Sequence, residues 1–128
     1  ELAIYNNKEI KLVDSFRERD MGVIQKNKFL ESKKLLYDDF DYAFPGGESS
    51  NQAQHRAVSA LIDLLKYDLD KKIVIGTHGD IMTLMINHFN KNYGFEFWHN
   101  SSMPDIYRME FKLQVLVKVD KLWHERPS

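Results

Sequence analysis

The chain has 128 residues, 18 basic against 19 acidic side chains, a formal net charge of -1 and no cysteine. Balanced charge without a basic block excludes the electrostatic footprint of a nucleic-acid binder, and the lack of cysteine excludes disulfides and thiolate metal sites. No apolar run approaches the length of a membrane span and no signal-peptide pattern opens the chain, so the sequence reads as one cytoplasmic domain over residues 1–128, with no nucleic acid and no membrane among its partners.

Leu2, Ala3, Ile4 and Tyr5 suit the last turn of a helix stopped by Asn6 and Asn7, and no start signal precedes them. Ile10, Leu12 and Val13 then predict a short edge strand ending near Asp14. Residues 16–22 (FRERDMG) set Arg17, Glu18, Arg19 and Asp20 between Phe16 and Met21 and close on Gly22. That composition is a charged loop. Residues 25–40 are read as a helix with Phe29, Leu36 and Phe40 on one side and exposed lysines on the other. Its acidic end, Asp38, Asp39 and Asp41, is a surface patch, because the glycine and closing glutamate of a calcium loop are missing.

Residues 45–50 (PGGESS) form a turn into the strongest helix signal. Ser49 and Gln52 make a capping box, and Ala53, Ala57, Leu61, Leu64 and Leu65 recur at helical spacing as a stripe that covers a sheet. Glu48 either stabilises this helix start or lines a cleft. His55 and Arg56 are read as helix-surface residues.

The chain is organised around residues 71–80 (KKIVIGTHGD). Ile73, Val74 and Ile75 are a brief β-branched run without alternation, the pattern of a buried parallel strand. Gly76 and Gly79 fit a strand-to-helix corner, with Asp80 as the N-cap of a helix beginning at Ile81. Ligands of open α/β sheets bind outside the carboxyl ends of the strands, where helix N-H groups favour anions, so His78 is placed to meet a phosphate. Ile81, Leu84, Met85 and Phe89 form the inward face of the next helix, with His88 structural. Phe95, Phe97, Trp98 and His99 are an aromatic segment for core packing. Tyr107, Met109 and Phe111, followed by Val115, Val117 and Val119, alternate as two strands of a terminal hairpin turning near residues 112–114.

Residues 16–22, then Gly47-Glu48-Ser49 before a helix, then residues 75–79 (IGTHG) after a strand, together resemble the histidine phosphatase superfamily, also called the phosphoglycerate mutase-like family. The resemblance implies a three-layer α/β/α fold with a mostly parallel sheet, here incomplete at the N-terminus. In that family a histidine of an Arg-His-Gly motif is phosphorylated, a second histidine and two arginines bind the phosphoryl group, and an acid protonates the leaving oxygen. By position His78 matches the second histidine and Glu18 the general acid. Gly79 and Asp80 match residues whose backbone faces the substrate, Arg19 opens a stretch to Met21 that shapes substrate specificity and binding, and Glu48 matches an acidic position near the cleft. No metal and no cofactor is implied.

This sequence contains no Arg-His-Gly. The resemblance therefore implies the later part of a phosphatase acting on a small phosphorylated substrate, inactive by itself for want of the nucleophile, with a homodimer formed through an exposed sheet edge. Met21 stands where mutases of the family carry tyrosine, which favours a phosphatase over a phosphoglycerate mutase. A non-catalytic anion-binding domain of the same fold is the alternative from another class, and an unrelated α/β protein sharing only the Thr-His-Gly turn is the remaining one.

Overall fold

A computed structural model describes residues 13–67, 73–101 and 106–122. In chain order they form α1 (Phe29–Asp38), α2 (Ser50–Tyr67), α3 (Gly79–Phe89), α4 (Phe95–Asn100) and strands β1 (Tyr107–Lys112) and β2 (Val115–Lys121), with 3-10 turns at Asp14–Phe16 and Lys26–Lys28.

The capping box starts α2 as expected: the Ser49 N-H donates to Gln52 Oε1 at 2.9 Å and the Gln52 N-H donates to Ser49 Oγ at 3.1 Å. Two N-H groups that the helix cannot satisfy internally are thereby paired. The stripe that follows, Ala53, Ala57, Val58 and Leu61, meets Ile81, Leu84 and Met85 of α3, and Phe16 and Tyr37 close the cluster. Ile81, Leu84 and Ile86 are fully buried. Each such side chain is worth about 1.5–3 kcal/mol of burial, which makes α3 the central anchor. A polar seam fixes its rotation: Gln54 Nε2 donates to the Leu84 carbonyl at 2.8 Å and to Asn87 Oδ1 at 3.1 Å.

The aromatic segment forms α4 and packs against the core through Phe95 and Trp98. The hairpin joins this body by rings, Phe97 against Tyr107 and Phe89 against Phe111, with centroids 4.9 and 5.0 Å apart. Tyr107, Met109 and Phe111 are half-buried while Arg108, Glu110 and Lys112 are exposed, the alternation the sequence predicts, but in β2 Val115 and Val117 are exposed and Leu116 is half-buried, because the register shift sets Leu116 opposite Phe111. Tyr107 pairs with Lys121 and Lys112 with Val115, with a bulge between Glu110 and Phe111. The two-residue turn puts Leu113 and Gln114 at φ 50° and 68°. Positive φ at both positions matches the twist of the strands but costs residues with a Cβ.

Several expectations are corrected. Residues 73–78 make no strand ladder among the described residues, where the only sheet is the antiparallel pair β1-β2. Val74 is 84% exposed, because a β-branched run becomes a strand only when another strand lies beside it. The helix expected over 25–40 is a 3-10 turn followed by α1, and it stops at Asp38 because Asp39 turns extended. The helix after His78 begins at Gly79 rather than Ile81, so His78 and not Asp80 is its N-cap. Asp14 opens a 3-10 turn rather than ending a strand. The helix end at residues 2–5, the strand at 10–12 and the return at 68–72 lie outside the described residues. No helix among the described residues is long and apolar enough to cross a membrane.

Candidate active site

His78 precedes the first turn of α3 in an extended conformation, with φ -109° and ψ 158°, and its carbonyl accepts the Met82 N-H at 2.9 Å. Its side chain is exposed. The N-H groups of Gly79, Asp80 and Ile81 have no partner within the helix, as at any helix start, and together with the macrodipole they make this end attractive to an anion.

Glu18 comes to the same turn. Its Oε1 accepts the Ile81 N-H at 3.2 Å and the Arg19 N-H at 3.0 Å. The loop that carries it is tied to the approach to α3 by Thr77, whose Oγ1 donates to the Phe16 carbonyl at 2.7 Å. Glu18 and His78, sixty positions apart in the chain, thus stand at one helix N-terminus.

Behind that terminus lies a buried charge cluster. Arg19 is 4% exposed and Asp80 1%. Arg19 grips the Asp80 carboxylate with both edges, Nε to Oδ2 at 3.0 Å and Nη2 to Oδ1 at 2.9 Å, and its Nη1 donates to Ser50 Oγ at 2.7 Å. Lys33 Nζ donates to Asp80 Oδ2 at 2.6 Å, and the Tyr37 hydroxyl donates to Oδ1 at 2.6 Å. Lys33 Nζ also lies 4.9 Å from the Trp98 ring centroid and 5.5 Å from that of Phe29, faces that stabilise a cation. Burial alone would raise the Asp80 pKa, but the bonds and charges of Arg19 and Lys33 outweigh it and hold the carboxyl below the usual aspartate range. Burial first, and then the Asp80 charge and bond, push the Tyr37 phenol far above its ordinary range, so it remains a neutral donor. Two cations face one carboxylate, and the cluster beneath the α3 terminus carries one net positive charge.

A second clamp lies on the other side of the loop. Arg56 pairs with Glu48 through Nε and Nη2, both at 2.8 Å, and donates to the carbonyls of Ser15, Arg17 and Glu18 at 2.8, 2.9 and 3.2 Å. The Arg56 bond, against partial burial, holds the Glu48 carboxyl below its ordinary range. Glu48 reaches this position because two loops cross back to back, with the Val23 N-H on the Pro45 carbonyl at 2.9 Å and the Glu48 N-H on the Asp20 carbonyl at 2.7 Å. A Cβ at Gly22, where φ is +79°, would sit 2.5 Å from the Pro45 oxygen, and one at Gly47 would sit 2.5 Å from the Met21 oxygen. Glycine is required at both positions.

Of the residues singled out in the sequence, the structure brings His78, Gly79 and Glu18 to one place. Gly79 is half-buried, and a Cβ there would lie 3.5 Å from Ser101 Oγ and 3.8 Å from Trp98 Cδ1. Arg19 and Asp80 have side chains turned inward onto each other, and the Glu48 carboxylate is directed at Arg56. Arg56, read as a surface residue, is half-buried, whereas His55 is exposed as expected. Lys33, Tyr37 and Ser50 were not singled out. Lys33 carries a readable signal, since it falls inside the stripe of Phe29, Leu36 and Phe40, where a lysine calls for a buried carboxylate.

Cavities of about 440 Å³, beside His55 and His88, and about 400 Å³, beside Lys91 and Phe95, include neither His78 nor Glu18. Among the described residues no group of three or more His, Asp or Glu is placed to hold a metal ion. Residues 1–114 match the family model described as the histidine phosphatase superfamily (branch 1). No curated protein and no solved structure gives a match.

Proposed function

The chain belongs to branch 1 of the histidine phosphatase superfamily, and from that premise we propose that it is part of a phosphatase hydrolysing a small phosphate monoester through a phosphohistidine intermediate. Membership supports a phosphatase- or mutase-like function in general. The observation that carries the finer reading is the shared turn: His78 caps α3, Glu18 bonds the third N-H of that helix, and a net positive cluster lies beneath both. A phosphoryl group at this end meets N-H groups, the helix dipole and a buried positive charge, while a carboxyl group stands beside it to protonate the departing oxygen.

In this reading Gly79 and Asp80 offer backbone N-H groups to the substrate, Arg19 and Glu48 shape the site from behind, and Met21 favours hydrolysis over mutase chemistry. The 128 residues hold no Arg-His-Gly, so the chain by itself supplies no matching nucleophile and is inactive or nearly so. We place residues 73–75 in a mostly parallel sheet of a three-layer α/β/α domain. That Ile73 and Val74 are apolar, β-branched and yet exposed supports that placement. The same segment suits edge pairing between two copies, which sedimentation at rising concentration tests by showing dimer or monomer.

The test of function compares hydrolysis of an aryl phosphate at mildly acidic pH by the 128-residue chain and by the longest open reading frame containing it. Turnover by the longer protein alone, lost in His78→Ala and strongly reduced in Glu18→Gln, supports the reading. Turnover by the short chain refutes the assignment of the nucleophile. Silence of both moves the non-catalytic anion-binding domain to the front.

A further inference from the structure

We infer that Arg56, aligned by Glu48, is the positioning residue of the acid loop, and that Glu48 acts through Arg56 instead of touching substrate. The inference rests on the reading of Glu18 as the proton donor, but its test does not depend on catalysis.

The guanidinium of Arg56 has five N-H donors, and five acceptors take them. Nε and one Nη2 hydrogen go to Glu48, both Nη1 hydrogens to the Ser15 and Arg17 carbonyls, and the other Nη2 hydrogen to the Glu18 carbonyl. Three carbonyls within four residues are therefore aimed at one rigid, planar group. Fixing the carbonyls of Arg17 and Glu18 fixes the peptide planes around Glu18, and with them the direction in which its side chain leaves the backbone. The Glu48 carboxylate has both oxygens engaged, Oε2 with Arg56 and Oε1 with Arg56 and the Asp20 N-H at 3.2 Å. It sets the plane of the guanidinium and holds the loop end beyond Glu18.

On the far side Arg19 is locked to Asp80, the second residue of α3. Glu18 thus lies between two anchored positions, and among the described residues its carboxylate meets the Ile81 N-H with the Arg19 N-H as its other hydrogen-bond donor. Lysine at 56 would keep the charge but could not serve five acceptors, since an ammonium offers three donors from a single point.

The Ile81 N-H reports the position of Glu18 directly, because no carbonyl inside α3 can reach it. The experiment follows its amide resonance and hydrogen exchange in the 128-residue chain, with Glu18→Ala as the reference for a lost bond. In Arg56→Ala the Ile81 resonance is expected to move to the Glu18→Ala position and its exchange to accelerate about tenfold or more, while the Leu84 and Met85 amides keep theirs. Added guanidinium ion should restore the wild-type resonance, and Arg56→Lys should behave like Arg56→Ala. Glu48→Gln, which keeps the helix and the guanidinium, should shift Ile81 in the same direction by less, and it decides the matter if Arg56→Ala does not fold. The inference is overturned if Ile81 stays at its wild-type position in these variants, or if it moves only together with Leu84 and Met85.

Discussion

Asp80→Asn removes one charge from a site that is 1% exposed and leaves the shape of the side chain almost unchanged. The Asp80 carboxylate accepts four bonds, two from Arg19 and one each from Lys33 and Tyr37, at 2.6 to 3.0 Å. With the charge gone, Arg19 and Lys33 face each other as buried cations without an anion, and one of their acceptors becomes an NH2 group. Loss of a single partner from a buried pair costs about 3–5 kcal/mol, chiefly because the remaining charge stays desolvated. Lys33→Met keeps the stem against Phe29 and Trp98 and leaves the two-edged Arg19–Asp80 pair whole. It should cost about 1 kcal/mol or less, since the lost bond is offset by a cation no longer held out of water. The double variant should then be less damaged than Asp80→Asn alone, a coupling of about 1–2 kcal/mol between contacting residues. Urea unfolding at neutral pH of the three variants measures these differences. Equal losses in Asp80→Asn and Lys33→Met, or a loss below about 1 kcal/mol in Asp80→Asn, would refute the claim that a single buried carboxylate balances both cations.

The same carboxyls set the acid limit. The Asp80 and Glu48 pKa values are both lowered in the folded state, so their contributions are complete above the ordinary carboxylate range and are lost as pH falls through their folded values. Unfolding midpoints measured from pH 7 to pH 2 should be flat down to about pH 5 and then fall, and Asp80→Asn should flatten the fall. Gly22 and Gly46 share nearly the same φ, +79° and +77°, but a Cβ at Gly46 meets open space while one at Gly22 meets the Pro45 oxygen. Gly46→Ala should cost about 1–2 kcal/mol and Gly22→Ala more than about 3 kcal/mol, and equal costs in thermal melts would show that the loop crossing is not tight. In the hairpin, Gln114→Gly relieves the left-handed strain at φ 68° and should stabilise by about 1 kcal/mol, read as slower exchange of the β1-β2 amides.

The parts legible in the sequence are those whose signal is local. The Ser49 and Gln52 capping box, the stripe through Ala53, Ala57 and Leu61, and the alternation of Tyr107, Met109 and Phe111 each depend on neighbours within a few residues, and each forms, although the stripe covers helix α3 and not the sheet expected beneath it, since periodicity gives a buried face without saying what buries it. Residues 73–75 fail as a described strand for the opposite reason, because a strand is defined by a partner that the run itself does not specify. Aspartate is a good N-cap and an equally good second residue of a helix, and at Asp80 only the arrival of Arg19 and Lys33 decides between them. The three come from positions 19, 33 and 80, and no spacing rule joins them. Arg56 lies on the polar edge of an amphipathic helix, where most arginines are solvated, and its five acceptors belong to segments folded over it from before α2.

The acid loop contributes one buried apolar residue to the core, Phe16, so burial of hydrocarbon cannot by itself fix residues 13–20. Directional bonds do so instead, with Arg56 on the carbonyls of Ser15, Arg17 and Glu18 and with Arg19 on the first turn of α3. This choice holds the Glu18 carboxylate and the N-terminus of α3 in fixed register. A hydrophobic contact tolerates sliding, whereas a guanidinium with all its donors matched does not. Glu48 neutralises Arg56, so that clamp adds no net charge, while Arg19 and Lys33 exceed Asp80 by one positive charge, with the Glu18 carboxylate as the nearby acidic group on the first turn of α3. One arginine thus acts on the geometry of the loop, and the other joins that loop to the first turn of α3.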